Sequence, residues 1–370
     1  MKKLGFGLMR LPCINGDIAK VDHERVNSLV DTFMDNGFNY FDTAACYHNE
    51  KSEDAFRICV SDRYPRESYW ITDKLSLFML KSADEIPSFF DTQLKTLGVD
   101  SIDLYLLHSM RKESFKQAED WGAIDFMLQK KAEGKIKHIG FSFHDSADVL
   151  DDILTRHPEM EYVQLQINYL DWEDNKVQSR KCYEIALKHN KKILIMEPVK
   201  GGALASIPSS ASDILNALDP SMSVASWAIR FAASLKNVVM VLSGMSDEAQ
   251  VSDNLGFMKD FAPLTEEQTL KTLEAAEVIR KTIAIPCTNC QYCVEGCPMK
   301  INIPKLFNIY NEYTRFENSR KQRYAGSYNS AVSGKGKASD CIGCANCEDR
   351  CPQKIAIRDF LSKIAKEFEC

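Results

Sequence analysis

Two sets of residues in this chain of 370 could carry chemistry. The first is cysteine. Eight of the thirteen fall into two identical runs, Cys287-x2-Cys290-x2-Cys293-x3-Cys297-Pro298 and Cys341-x2-Cys344-x2-Cys347-x3-Cys351-Pro352. Three thiolates at x2 spacing on one loop can reach three irons of a single cube, and the fourth, on the following segment, points to the other cluster. Zinc also binds paired C-x2-C, but zinc sites use two such pairs rather than this longer run twice. The spacing therefore predicts two 4Fe–4S clusters. Crossed ligation would give one cluster Cys287, Cys290, Cys293 and Cys351, and the other Cys341, Cys344, Cys347 and Cys297.

The second set is a series of polar residues, each closing a short apolar run: Asp42, Lys74, His108, Ser142, Gln164 or Gln166, Glu197 and Ser243. Any one alone is what a strand end meeting water looks like. Together an acid, an ammonium and an imidazole at three successive run ends, with Tyr47 just past the first, form a proton-handling group. A carbonyl receiving hydride develops oxyanion charge and needs a proton from a positioned acid. A free phenol, with a pKa of about 10, is a poor acid at neutral pH. On this reading Lys74 lowers the Tyr47 pKa, Asp42 holds Lys74, and His108 orients the carbonyl oxygen.

The elements that must position these residues follow from the same runs. FNYFD, YWITDK, LYLLH, IKHIGFS, YVQLQ, KILIME and VVMVLS recur at intervals of roughly thirty residues, with amphipathic stretches between them. One stretch opens at Asp22 as N-cap and stops at Gly37, and another carries the capping-box pattern Ser82-x-x-Glu85. A weaker eighth run is Leu255–Met258. Apolar runs without alternation are strands buried on both faces of a parallel sheet. Eight strand–helix units predict an α/β protein with a closed (β/α)8 TIM-type barrel, whose strand ends share one face. An open doubly wound sheet is the alternative, but no G-x-G-x-x-G follows the first run.

Residues 283–370 are predicted to be a small, mainly helical two-cluster domain following a barrel of residues 1–282. Nine of the thirteen cysteines lie there, and its 13 Lys+Arg against 9 Asp+Glu contrast with the acidic remainder. Helices are expected over Leu306, Ile309, Tyr310, Tyr313 and Phe316, and again from Ile357 to Phe368. GSYNSAVSGKGKASD between them reads as a polar loop.

A net charge of −6 argues against nucleic-acid or membrane-surface partners. No apolar run is long enough for a membrane span, and the first residues lack a signal-peptide core. Dense cysteine without an export signal points to metal or redox chemistry in the cytoplasm.

The residues above carry a resemblance. GFGLMRLP, FDTAACYHNE around Asp42 and Tyr47, TDKL around Lys74, LYLLH around His108, GFS around Ser142 and QLQIN around Gln164 resemble the aldo-keto reductases over residues 4 to about 280. With its tail the chain resembles prokaryotic members fused to a dicluster ferredoxin-like domain. The resemblance implies NAD(P)-dependent carbonyl reduction by Tyr47, Lys74, Asp42 and His108. It places the nucleotide against Ser142, Gln164 and Asn254, and the LSGMS run at Ser243 and Gly244 can cradle a phosphate through its backbone N–H groups. Departures are plain: Phe143 replaces the family's asparagine, Met196 its stacking aromatic, and Gly244-Met245 with Gln250 its contacts to a 2′-phosphate. NAD, NADP and a flavin all stay open on this evidence.

The expected function is oxidation or reduction of a small carbonyl or alcohol substrate, coupled to electron transfer through the clusters, with a redox protein as the expected partner. A barrel kept only for binding, and clusters that are purely structural, are the competing readings. The eighth strand, if it ends near Met258, sends the helix Glu266–Thr282 toward the strand N-termini, away from the site. The tail is nonetheless expected over the barrel mouth, with the basic Arg320–Lys337 stretch facing cofactor phosphates.

Overall fold

The computed structural model describes residues 2–281, 284–315 and 321–369. Eight parallel strands close in sequence order: β1 (Leu4–Gly7), β2 (Tyr40–Asp42), β3 (Trp70–Leu75), β4 (Ile102–Met110), β5 (Ile136–Phe143), β6 (Tyr162–Gln166), β7 (Lys192–Met196) and β8 (Val238–Ser243). The TIM-type barrel predicted from the seven runs is present, but its closing strand is elsewhere. β1, at the N-terminus, pairs with β8 through Leu4↔Val241, Gly5↔Leu242 and Phe6↔Ser243. Leu255–Met258 belongs instead to the helix Glu248–Met258.

The reason is physical on both counts. Val251, Leu255 and Met258 are buried at i, i+4 and i+7, one helix face. LGFG is too short and too glycine-rich to read as a strand, yet glycine is what the crowded lumen requires. A Cβ on Gly5 would lie 2.8 Å from Leu242 Cδ2 and 2.9 Å from Tyr40 Cδ1.

That shift changes the course of the chain after the barrel. Glu248–Met258 is the eighth crossover helix, so Glu266–Arg280 is one more, and it runs parallel to the strands. Its start is tied to the lower face, where Leu264 N donates to Ser234 Oγ at 2.8 Å. Its end reaches the mouth, where Arg280 Nη2 donates to Leu170 O at 2.7 Å, just past β6. The expectation that this helix finishes at the strand N-termini is therefore corrected.

Asp22 caps the helix His23–Asp35 by accepting from Arg25 N at 3.1 Å. Ser82 makes no side-chain cap; Glu85 Oε2 instead accepts from Lys81 N at 2.9 Å.

Three separate apolar cores form, one between the barrel and its helices, one in the barrel lumen and one within the tail. The tail core packs Leu306, Phe307, Tyr313, Tyr328, Leu361, Ile364 and Phe368. The boundary expected at 282/283 falls outside the described residues, as does Phe316. The first half of the expected polar loop is helical: Lys321–Val332 is a helix whose Tyr328 is buried and stacks on Phe368 at 5.5 Å. Among the described residues no helix is long and apolar enough to cross a membrane.

Candidate active site

Alternation along the strands puts Asp42, Lys74, Ser142 and Gln164 into the upper lumen, above a layer of Tyr40, Leu104, Leu106, Leu194 and Met240. Asp73, one residue out of phase, faces the helices. There Gln93 Nε2 donates to Asp73 Oδ2 at 2.8 Å, to Glu53 Oε1 at 2.9 Å and to Lys74 O at 3.1 Å. This buried group fixes the backbone that carries Lys74.

Lys74 is 1 % exposed, and its Nζ donates to Asp42 Oδ1 at 2.7 Å and to Thr43 O at 2.6 Å. It lies over the Tyr47 ring, 4.9 Å from the centroid. The expected acidification of Tyr47 by Lys74 is not what this geometry gives. Burial, then the Asp42 charge, push the Tyr47 phenol well above its ordinary value. The ammonium is neutralised by Asp42 and meets the ring face rather than the hydroxyl. Tyr292 of the tail, on the wall of the same cavity, acts in the opposite direction.

His108 sits beside Tyr47, ring centroids 5.9 Å apart, with Nδ1 2.7 Å from Ser76 Oγ. Burial, followed by the Lys74 and His144 charges, holds it well below the usual histidine value, so it is neutral. A Ser76 hydroxyl donating to Nδ1 leaves the proton on Nε2, free for a carbonyl oxygen.

Asp42, Tyr47, His108, Ser142, Gln164, Ser243, Gly244 and Asn254 all line one cavity of about 360 Å³. Only Lys74, behind Asp42, does not. Gln164 Nε2 donates to Asp42 Oδ2 at 3.1 Å, Ser142 Oγ accepts from Ser109 N at 2.7 Å, and Asn254 Nδ2 donates to Ser243 Oγ at 3.0 Å. The helix Glu248–Met258 starts just beyond Ser246, its N-terminus capped by Asp247. Arg10 is the one Lys or Arg lining the cavity among the described residues, and its side chain covers Gly244. These features suit a nucleotide whose phosphates meet a helix N-terminus and one guanidinium.

Some of this lining was not legible as functional. Glu197, which closes β7 with φ +54°, has its carboxyl raised to about 7, first by burial. Its polar position at a run end was visible, but not its partners. Cys290, Tyr292 and Pro352 reach the same cavity from the tail. Tyr292 is an x residue inside a cysteine run and gives no periodic signal. Cys46 packs 4.0 Å from His108 Nδ1 and Trp172 against Tyr183 and Phe231; neither lines the cavity.

The tail closes over the mouth through the first cysteine loop and the second Cys-Pro turn. Arg10 Nη2 donates to Thr288 O at 3.1 Å, and Gln353 Nε2 to Glu197 Oε2 at 3.2 Å. Among the described side chains of the basic 320–337 stretch, Tyr324 to Lys337, none lines the cavity; Arg320, Lys321 and Arg323 lie outside those described.

The two cysteine runs have matching backbones. Asn289 and Gln291 in the first, and Gly343 and Ala345 in the second, take positive φ at corresponding positions, as do Lys300 and Lys354 after the prolines. Cys290, Cys287, Cys351 and Cys347 all act on the Cys293 thiol, which burial raises first. Cys297, Cys341, Cys344 and Cys347 line one small pocket.

A model of the aldo/keto reductase family matches residues 3–277, and one of the 4Fe-4S dicluster domain matches residues 286–356. An aldo-keto reductase of Mycobacterium avium (strain 104) is 25% identical over 249 residues, 66% of this chain and 80% of that protein. The uncharacterized oxidoreductase YtbE of Bacillus subtilis is 34% identical over 132 residues, covering 34% of this chain and 45% of YtbE. Among solved structures, the holo form of aldo-keto reductase AKR11C1 from Bacillus halodurans superposes with a TM-score of 0.59 at 23% identity, over 74% of this chain and 91% of that one. An aldo-keto reductase from Klebsiella pneumoniae, in complex with NADPH, gives 0.58 at 16% identity over 75% and 90%.

Proposed function

The chain belongs to the aldo/keto reductase family of oxidoreductases, and from that premise we propose that it reduces a small carbonyl substrate, or oxidises the alcohol, at the barrel mouth. The observation that carries this is one cavity shared by Tyr47, His108, Ser142, Gln164, Ser243, Gly244 and Asn254, with Asp42–Lys74 behind it. A nicotinamide nucleotide bound there supplies hydride. Tyr47, buried and protonated, gives the proton to the carbonyl oxygen. Neutral His108 donates from Nε2 and orients that oxygen. Asp42 and Lys74 hold the floor of the site and the Tyr47 ring. Gln164 is fixed by Asp42 and presents its carbonyl oxygen to an amide.

The crossed cysteine sets fit two 4Fe–4S clusters. Cys297, Cys341, Cys344 and Cys347 share one small pocket, and Cys290 of the other set lines the large cavity. Cys287, Cys290, Cys293 and Cys351 would hold the inner cluster, beside the cavity, and Cys297, Cys341, Cys344 and Cys347 the outer one. Cys344 is exposed beside Ile342, which is 64 % exposed, where a one-electron carrier protein would dock. Thirteen cysteines and two clusters suit a reducing compartment such as the cytoplasm.

The test is anaerobic. The purified holoprotein is titrated with NADH or NADPH while cluster absorbance is followed, and benzaldehyde reduction is assayed in parallel. Bleaching of the clusters by nucleotide supports coupling. Turnover with unbleached clusters leaves an ordinary reductase with structural clusters.

A further inference from the structure

One face of the helix Glu248–Met258 is part of the cavity wall: Gln250, Asp253 and Asn254, at i, i+3 and i+4, all line it. Asn254 Nδ2 donates to Ser243 Oγ at 3.0 Å and ties that face to the end of β8. Asp253 is half-buried and held in place. Its Oδ2 accepts from Ser223 Oγ at 2.6 Å, and Ser223 in turn caps the helix Val224–Ser234 by accepting from Ser226 N at 3.0 Å. The other carboxylate oxygen, Oδ1, has no hydrogen-bond or ion-pair partner among the described residues. Cations are scarce on this wall. Arg10, the one Lys or Arg lining the cavity among the described residues, gives Nη2 to Thr288 O at 3.1 Å. Arg25, which meets the start of the helix, is paired through Nε and Nη2 with Glu248 at 3.1 and 2.8 Å.

We propose that this wall selects NAD(H) over NADP(H), with Asp253 accepting a hydrogen bond from the hydroxyls of the adenosine ribose. The inference rests on the reading of the cavity as a nicotinamide nucleotide site. A dinucleotide with its nicotinamide by Tyr47 and Gln164, and its phosphates at Gly244 and the helix start, has its second ribose left for the helix face beyond. There a free 2′-hydroxyl is a donor, and Asp253 Oδ1 is an acceptor that has none. A fixed carboxylate that takes a ribose hydroxyl recognises the cofactor without the extra phosphate. A 2′-phosphate at the same place carries a charge of about −1.5 to −2 at neutral pH and brings acceptor oxygens. It meets the Asp253 carboxylate with no cation of this wall free to neutralise it, and like charges held close outside bulk water repel strongly. One side chain thus supplies both the attraction for one nucleotide and the repulsion against the other.

Equilibrium binding tests it. The full-length holoprotein, kept anaerobic and without substrate, is titrated by calorimetry with NAD+ and with NADP+, the oxidised forms, which cannot reduce the clusters. Wild type is expected to bind NAD+ at least about tenfold more tightly than NADP+, and the gap narrows as salt is raised, because the repulsion is screened. Asp253→Asn can keep the Ser223 hydrogen bond while losing the charge, and it is expected to bind NADP+ at least about fivefold more tightly than wild type does. Equal binding of the two nucleotides by wild type, or tighter binding of NADP+, overturns the inference and leaves the nucleotide site standing. Failure of both to bind overturns the nucleotide reading itself. A preference for NAD+ that Asp253→Asn leaves intact overturns the role given to Asp253. Circular dichroism and iron content check that the variant is folded. Should Asp253→Asn not fold, Gln250→Lys, which sets an ammonium one turn away on the same wall, takes its place. Tighter binding of NADP+ by that variant supports the inference, and unchanged binding overturns it.

Discussion

Lys200 of the barrel and Gln353 of the tail meet inside the molecule, Nζ to Oε1 at 2.6 Å, with both side chains buried. Lys200 also holds Asp171 at 2.5 Å, and Gln353 reaches on to Glu197. The tail is therefore bound through a closed polar chain whose members all need one another, not tethered by a linker. Leaving a buried donor without its acceptor costs about 1–3 kcal/mol. Gln353→Ala is expected to lower stability by that order and to speed proteolytic release of the tail, measured by denaturant unfolding and limited proteolysis. Unchanged unfolding and digestion would show that the interface does not depend on this chain.

Lys74→Met leaves Asp42 buried with Gln164 as its remaining donor. Removing one partner of a buried ion pair typically costs about 3–5 kcal/mol. A drop of that size in unfolding free energy, together with loss of turnover, is expected. A variant of native stability would mean that Asp42 finds other solvation.

Tyr47→Phe takes away a hydroxyl and little else. Turnover of benzaldehyde is expected to fall by about a hundredfold or more, the scale of general-acid catalysis. Nucleotide affinity, measured by fluorescence quenching, stays close to wild type because Ser142, Gln164 and Asn254 are untouched.

Protein made without oxygen is expected to hold about eight irons and eight acid-labile sulfides, as two cubes require. Cys351→Ala and Cys287→Ala then abolish the same electron paramagnetic resonance signal, while Cys297→Ala and Cys341→Ala abolish the other. Loss of one signal by Cys341→Ala and Cys351→Ala together would replace the crossed arrangement with one cluster per run.

Glu197 gives a pH dependence of definite sign. Its carboxyl is raised from 4.5 to about 7 in the fold. Between those values the folded form keeps a proton that the unfolded chain releases, so stability falls as pH rises through the window. The slope from one such group is at most about 1.4 kcal/mol per pH unit. Glu197→Gln is expected to flatten the change in melting temperature between the two ends of that window, and an unaltered slope would place the titration elsewhere.

What the sequence determined by itself is local. Two C-x2-C-x2-C-x3-C-P runs state their chemistry because ligand spacing on one loop is set by covalent geometry. Asp42, Lys74, His108, Ser142 and Gln164 declared themselves because each ends an apolar run, and parallel strands bring such ends to one face. The tertiary structure decided what depends on distant segments meeting. LGFG is a strand only because β8 and β2 flank it and the lumen leaves no room for a Cβ on Gly5. Glu266–Arg280 ends at the mouth only because Glu248–Met258 had already served as the eighth helix. Tyr292 comes to line the same cavity as Tyr47 across some 245 residues of chain, carried there by contacts of Thr288 with Arg10 and Gly201 and of Gln353 with Lys200 and Glu197. No spacing within either segment encodes those meetings, because they exist only where two separately formed cores are pressed together.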